Sequence, residues 1–240
     1  MRTGGAATES KKGRFIRKYA HERIPAAPPG KQDDFHQSRD SIAYDLMPSG
    51  RTCLEIGCGL GGLSRSASKK YDFVLASDLM IERLLVAKAL DSQSEVQYLV
   101  ADMDMAIPLK EGTVSCVASI ATFEYAMDPY SFIDEVYRVL EPGGVFVFQV
   151  SNLVWLPRRM KLLLGRLPAT FALSLTQDRV WNGGAFHSYT LEAITRLLVD
   201  CGLEIVTVRS SGRFTTLGNL WPSLFSPDLI LLCRKRERMT

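Results

Sequence analysis

From Arg51 onward, short apolar runs alternate with stretches in which apolar residues recur every three or four positions. The runs are "RTCLEIG" (51–57), "DFVLASD" (72–78), "EVQYLVAD" (95–102), "TVSCVASI" (113–120) and "VFVFQVS" (145–151). Each has the length and apolar content of a strand, and the fourth is apolar throughout, as in a strand buried on both faces. Between them, "GLSRSASKK", "MIERLLVAKAL" and "YSFIDEVYRVL" have helical spacing, and the last is expected to stop at "EPGG". Ahead of the first run, "DDFHQSRDSIAYDLM" is a further helix, closed by Pro48, Ser49 and Gly50. Near the end, "TLEAITRLLVDCGL" predicts a helix capped by Thr190 and stopped by Gly202. "EIVTVRSS" and "DLILLCRK" then read as a hairpin-like pair of strands.

Strands alternating with helices imply parallel βαβ units, and right-handed crossovers wind these into an α/β doubly wound sheet. Ligands of such sheets lie beyond the carboxyl ends of the strands, at the switch point. Candidate chemistry is therefore sought in the residues that close each strand.

After the first strand stands "CLEIGCGLGG", in which Gly57, Gly59 and Gly62 satisfy G-x-G-x-x-G. Glycine there permits tight turning and close backbone approach to a ligand. Taken alone the pattern suits a nicotinamide dinucleotide, another adenosine cofactor or a plain strand-to-helix turn. Glu55 discriminates: a carboxylate beside the loop repels a pyrophosphate and favours a ligand carrying an ammonium and a sulfonium. Asp78 closes the second strand, where an acid takes ribose hydroxyls. Asp102 closes the third, where an acid accepts from an adenine amino group.

With these residues in view, the chain resembles the class I S-adenosylmethionine-dependent methyltransferases, in their small-molecule, type 11-like form. "LEIGCGLGG" is similar to the family's first motif. "ASD" carries its second-strand acid, and "VADMDMAIPLKEGTVSCVASIATFEYAMDP" and "EVYRVLEPGGVFVFQVSN" match its later signatures. The resemblance is close over residues 36–150. It implies a Rossmann-like doubly wound seven-stranded sheet, mostly parallel with an antiparallel last strand and helices on both faces. It implies S-adenosyl-L-methionine as cofactor. Glu55, Gly57, Cys58, Gly59 and Gly61 would lie by its methionine part, and Asp78 would hold ribose. Leu79, Asp102 and Met103 would hold adenine, and Ile120 and Ala121 would lie by the sulfonium. Tyr125 stands where many relatives have histidine, so it either faces the sulfonium through its ring or contacts the acceptor.

Methyl transfer depends on alignment, and a base is needed only if the acceptor loses a proton. His187 in "GGAFHSYT" is the candidate base, or else a histidine satisfied near a helix N-terminus. Trp181, Asn182, Tyr189 and Asn152 either shape the acceptor pocket or pack. Glu124 is read as a local cap or pairing group.

Composition narrows the picture. The 240 residues carry a formal charge of only +3, and 46% are hydrophobic. Eight Lys or Arg fall within residues 1–31 against Glu9 and Glu22, so 1–31 reads as a basic, flexible arm and 32–240 as a single domain. No basic groove interleaved with aromatics is visible beyond the arm, and "ATFEYAM" lacks the Asn/Asp-Pro-Pro-aromatic tetrapeptide of base-amine methylation, so nucleic acid is not the expected partner. No run approaches the roughly 20 apolar residues of a membrane span. Five cysteines without a C-x-x-C pair suggest reduced thiols in a cytoplasmic setting, and the three histidines show no metal-ligand spacing. An insertion at 152–189 is expected to build the acceptor pocket together with 210–227. Within it "WLPRRMKLLLGRLP" predicts a lid helix, a helix binding an acidic substrate, a packed amphipathic helix, or a membrane-surface contact through 153–167.

The expected activity is methyl transfer to an oxygen or nitrogen of a small-molecule acceptor of natural-product or sugar type. The rivals are a non-catalytic, methyltransferase-like partner of a biosynthetic enzyme, and a nicotinamide enzyme.

Overall fold

The computed structural model describes residues 34–92, 95–166, 168, 185–212 and 215–236. The basic arm at 1–31, Trp181 and Asn182 lie outside the described residues. The chain forms α1 (Asp34–Leu46), β1 (Gly50–Ile56), α2 (Gly62–Ala67), β2 (Tyr71–Asp78), α3 (Ile81–Leu90), β3 (Gln97–Val100) and β4 (Val114–Ser119). A 3-10 turn (Phe123–Tyr125), α4 (Pro129–Val139), β5 (Leu140–Ser151) and α5 (Leu156–Leu163) follow. α6 (Leu191–Asp200), β6 (Leu203–Ser210), α7 (Thr215–Leu220), α8 (Pro222–Phe225) and β7 (Asp228–Lys235) complete it.

The seven strands lie in the order β3-β2-β1-β4-β5-β7-β6. β1 to β5 run parallel, and β7 is antiparallel to both β5 and β6. The predicted final pair is thus antiparallel, but helices α7 and α8 join it in place of a tight turn. The order reverses between β1 and β4, which opens a crevice at their carboxyl ends.

Strand alternation sorts the core onto two faces. Leu54, Val117, Phe146 and Phe148 meet Phe132, Ile133 and Val136 of α4 and Ile194 and Leu198 of α6. Cys53, Val74, Ala118 and Val147 meet Ala43 of α1, Leu63 of α2 and Leu84 of α3. Burial of this kind contributes about 25 cal/mol per Å² of apolar surface. All five cysteines are buried and unpaired. Among the described residues no helix is long and apolar enough to cross a membrane.

Two boundaries differ from the sequence expectation. "EPGG" lies inside β5: the register jumps from Val114↔Leu140 to Cys116↔Val145, with Gly143 at φ +74°. The glycines let the chain bulge and rejoin the ladder. β3 stops at Val100, because Asp102 turns the chain: its Oδ1 accepts the Asp104 N–H and its carbonyl accepts the Met105 N–H.

Candidate active site

The glycine loop leaves β1 at the switch point. Gly57 and Cys58 both donate their N–H to the Ser77 carbonyl, at 2.7 and 2.9 Å, which binds the loop to the end of β2. Gly57 has φ +78°, and a Cβ there would stand 2.2 Å from Thr122 Oγ1. Only glycine lets this strand end lie against the loop after β4. Gly61 has φ +72°, and its added Cβ would stand 2.9 Å from the Tyr98 hydroxyl. Gly59 has φ +54° with open space beside it. Cys58 is buried in the core with Ala43, Leu63 and Val74.

Asp78 clamps this loop. Its Oδ2 accepts the Gly59 N–H and its Oδ1 the Met80 N–H, each at 2.9 Å. A carboxylate offers about four acceptor sites, so two remain for a ligand. Leu79 follows it, partly exposed.

Glu55 is buried on the α1–α2 side, where Ser64 donates its hydroxyl to Oε2. Burial pushes the Glu55 carboxyl up to about 8, against the lowering effect of Ser64, and the charges of Asp40 and Asp78 push the same way. Desolvating a carboxylate costs several kcal/mol and one hydrogen bond to it returns about 1.5–3, so the acid is neutral near pH 7 until a cation arrives. Asp40 on α1 is raised to about 6, again chiefly by burial, with Arg39 opposing. The three acids are near enough to feel one another, but among the described residues no group of His, Cys, Asp and Glu could hold a metal ion.

Sequence reasoning missed Arg39, Asp40 and Ser64. Arg39 is buried and reaches Gln149 Oε1 at 3.5 Å. The signal was present: Arg39, Ala43 and Met47 lie along one helical stripe, and an arginine at a core position requires an internal partner. Gln149 Oε1 also accepts the Ala121 N–H at 2.8 Å. Ala121 has φ +54°, the one described non-glycine residue with positive φ, directly after the partly exposed Ile120. Such strain persists when its surroundings over-determine it.

Asp102 and Met103 line a pocket between the 101–108 loop and the β1–β3 face. Leu54, Ile56, Leu75 and Leu99 form its apolar floor, and Asp102 is its one charged lining residue. A flat heterocycle with an exocyclic amine suits that chemistry.

Of the residues expected to meet the acceptor, Tyr125, His187 and Tyr189 gather at the 3-10 turn. The Glu124 carbonyl accepts the N–H of Phe186 at 2.9 Å and of His187 at 3.3 Å. Its carboxyl accepts the Ser151 N–H at 2.7 Å and is held above the ordinary carboxylate range by burial. The Glu124 carbonyl is therefore a brace for the 185–188 segment, while its carboxyl holds Ser151, the last residue of β5. His187 is thereby tied by its backbone to the turn, in which Tyr125 is half-buried. His187 Nε2 is enclosed and has no hydrogen-bond partner among the described residues. Tyr189 stacks on Phe123 with ring centroids 5.3 Å apart. Asn152 is spent on structure: Nδ2 donates to the carbonyls of Pro222, Ser223 and Ser226, and Oδ1 accepts the Val154 N–H.

Comparison with known proteins agrees with this geometry. Residues 54–148 match the methyltransferase-domain family model of type 11. The 2-methyl-6-phytyl-1,4-hydroquinone methyltransferase of Synechocystis is 30% identical over 118 residues, 49% of this chain and 37% of that one. The ubiquinone biosynthesis O-methyltransferase of Xanthomonas oryzae is 30% identical over 138 residues, 57% of this chain and 52% of that one. The matched stretches thus span about half or less of these relatives. A solved S-adenosylmethionine-dependent methyltransferase from Mesorhizobium loti superposes with TM-score 0.62 at 19% identity, covering 81% of this chain and 96% of that one. Strand order, glycine loop and family match converge: residues 54–148 match a methyltransferase domain of type 11, and the chain has the fold of solved S-adenosylmethionine-dependent methyltransferases, a family and fold whose cofactor is S-adenosylmethionine.

Proposed function

We propose that this chain transfers a methyl group from S-adenosylmethionine to a hydroxyl of a small aromatic acceptor. The observation that carries the proposal is the acidic surround of the glycine loop. Asp40 and Asp78 offer negative charge to an ammonium and a sulfonium and would repel the pyrophosphate of a dinucleotide, and Glu55 adds its charge when a cation draws off its proton. In this reading the backbone at Gly57, Gly59 and Gly61 receives the methionine part and Asp78 takes ribose hydroxyls. The apolar pocket beside Asp102 and Met103 takes adenine, with Leu79 against its face. Bound there, the cofactor supplies an electrophilic methyl on sulfur. Ile120 and the strained Ala121 border that point, and the Tyr125 ring faces positive charge.

His187 Nε2 would accept the acceptor's proton. A phenolic hydroxyl is acidic enough for an imidazole base, whereas an aliphatic sugar hydroxyl is a far weaker acid. The names of the relatives, drawn from quinone and hydroquinone chemistry, favour the same acceptor class. The family match ends at residue 148, before the segments assigned to the acceptor pocket, so the acceptor rests on chemistry rather than on kinship. The test is transfer of labelled methyl to a panel of catechols, hydroquinones, sugars and amines. Phenolic acceptors alone should be labelled. Labelling of sugars or amines in preference would overturn the acceptor class.

A further inference from the structure

The end of the molecule that carries α5 and α8 holds the three most exposed large apolar side chains among the described residues, Leu220, Leu163 and Leu164. Arg158 of α5 turns inward, and its Nη1 donates to the carbonyls of Asn152 and Pro227 at 2.7 and 2.8 Å. That contact fixes which face of α5 points out. Leu156, Met160, Leu163 and Leu164 recur at i, i+4, i+7 and i+8, and all are exposed, Leu163 by 78% and Leu164 by 70%. A stripe of this spacing normally faces a core.

A second apolar group stands at the same end. Leu220 and Trp221, before α8, are exposed by 83% and 59%. Ser151 pairs with Asp228 in the sheet, so α5 departs where α8 arrives. Arg159 of α5 donates to the Ser223 carbonyl, which joins the two.

Charge decides what this surface meets. Residues 156–166 hold Arg158, Arg159, Lys161 and Arg166 and no acid, and 215–225 hold no charge of either sign. A second copy related by two-fold symmetry would set these cations against each other. An anionic lipid surface matches both features, because amphipathic helices bury leucine and tryptophan below headgroups that meet lysine and arginine.

We propose that this end docks on an anionic phospholipid bilayer, with Leu163, Leu164, Leu220 and Trp221 entering the interface and Arg159, Lys161 and Arg166 facing the headgroups. Docking there brings the acceptor side to the membrane, where an acceptor with a lipid tail would be found. The surface stands apart from the acceptor assignment: vesicle binding reads the one and methyl transfer the other.

Co-sedimentation of the full chain with phosphatidylcholine vesicles, with and without phosphatidylglycerol, tests it. The chain should sediment with the anionic vesicles and about tenfold less with the neutral ones. Leu163→Asp with Leu164→Asp, and separately Trp221→Asp, should each cut that binding about tenfold or more. Affinity for S-adenosylmethionine should be unchanged in both variants, which reports a folded site. Failure of the unaltered chain to bind anionic vesicles would overturn the proposal. So would full binding by the Leu163/Leu164 variant, which would move the contact to the basic arm. A dimer that the same variant dissociates would assign the surface to a second copy.

Discussion

The proposed cofactor side and the proposed acceptor side of this molecule are built on different principles. Around the glycine loop the conformational freedom of glycine is the instrument. Gly57 is crowded by Thr122, Gly59 is held by Asp78, and Gly57 and Cys58 share the Ser77 carbonyl. Around the 3-10 turn no glycine is used: the Glu124 carbonyl braces a segment from far along the chain by accepting the N–H of Phe186 and His187, and its carboxyl accepts the Ser151 N–H. The family match takes in both the glycine loop and the 3-10 turn and stops before the 185–188 segment that the turn holds.

The largest effect that would sharpen this contrast belongs to the proposed acceptor side. His187→Ala should lower turnover about 10²–10⁴-fold, the usual contribution of a general base, with cofactor affinity unchanged. Steady-state kinetics beside calorimetry would show it, and unaltered turnover would return His187 to a packing role.

Next comes a pair of glycines. Gly57→Ala forces a left-handed alanine, at roughly 1–2 kcal/mol, and a clash with Thr122, at roughly 1–3 kcal/mol more. Gly165, after α5, has φ +67° with nothing within 4 Å, so Gly165→Ala should cost only the backbone part. Thermal melts should separate the two, and equal losses would break the distinction between crowded and open turns.

Smaller again is Asp78→Asn. Removing a charge-assisted hydrogen bond to ribose should weaken S-adenosylmethionine by about 1.5–3 kcal/mol, roughly ten- to hundredfold. Retained affinity would leave Asp78 as a loop clamp alone.

A further signal is pH. The folded Glu55 acid titrates near 8 and its ordinary value is 4.5, so the folded state keeps a proton that the unfolded chain has lost. Its contribution is complete below 4.5 and is lost as pH rises through 8. Asp40 acts with the same sign between 3.8 and about 6. The melting temperature of the ligand-free chain should therefore fall across this window, and Glu55→Gln should flatten the upper part. A cationic ligand reverses the preference, so cofactor affinity should rise with pH as Glu55 ionises.

Legibility in the sequence divides along the same line. Glu55, the glycines, Asp78 and Asp102 sit at strand ends, so a linear pattern reveals them. Asp40 and Ser64 meet Glu55, and Arg39 meets Gln149, only through the packing of α1 and α2 on the sheet. In "EPGG" the glycines read as a stop, because nothing local shows that the ladder resumes after the bulge. In α5 the cations look alike in sequence, yet Arg158 is buried and Arg159 exposed, a difference set by where Asn152 and Pro227 place their carbonyls.

The central claim is that an acid-ringed glycine loop receives a sulfonium cofactor. Calorimetric titration of the purified chain with S-adenosylmethionine, S-adenosylhomocysteine and a reduced nicotinamide dinucleotide tests it most directly. The account predicts micromolar binding of the two sulfur compounds and none of the dinucleotide. Binding of the dinucleotide alone, or of nothing, would contradict it.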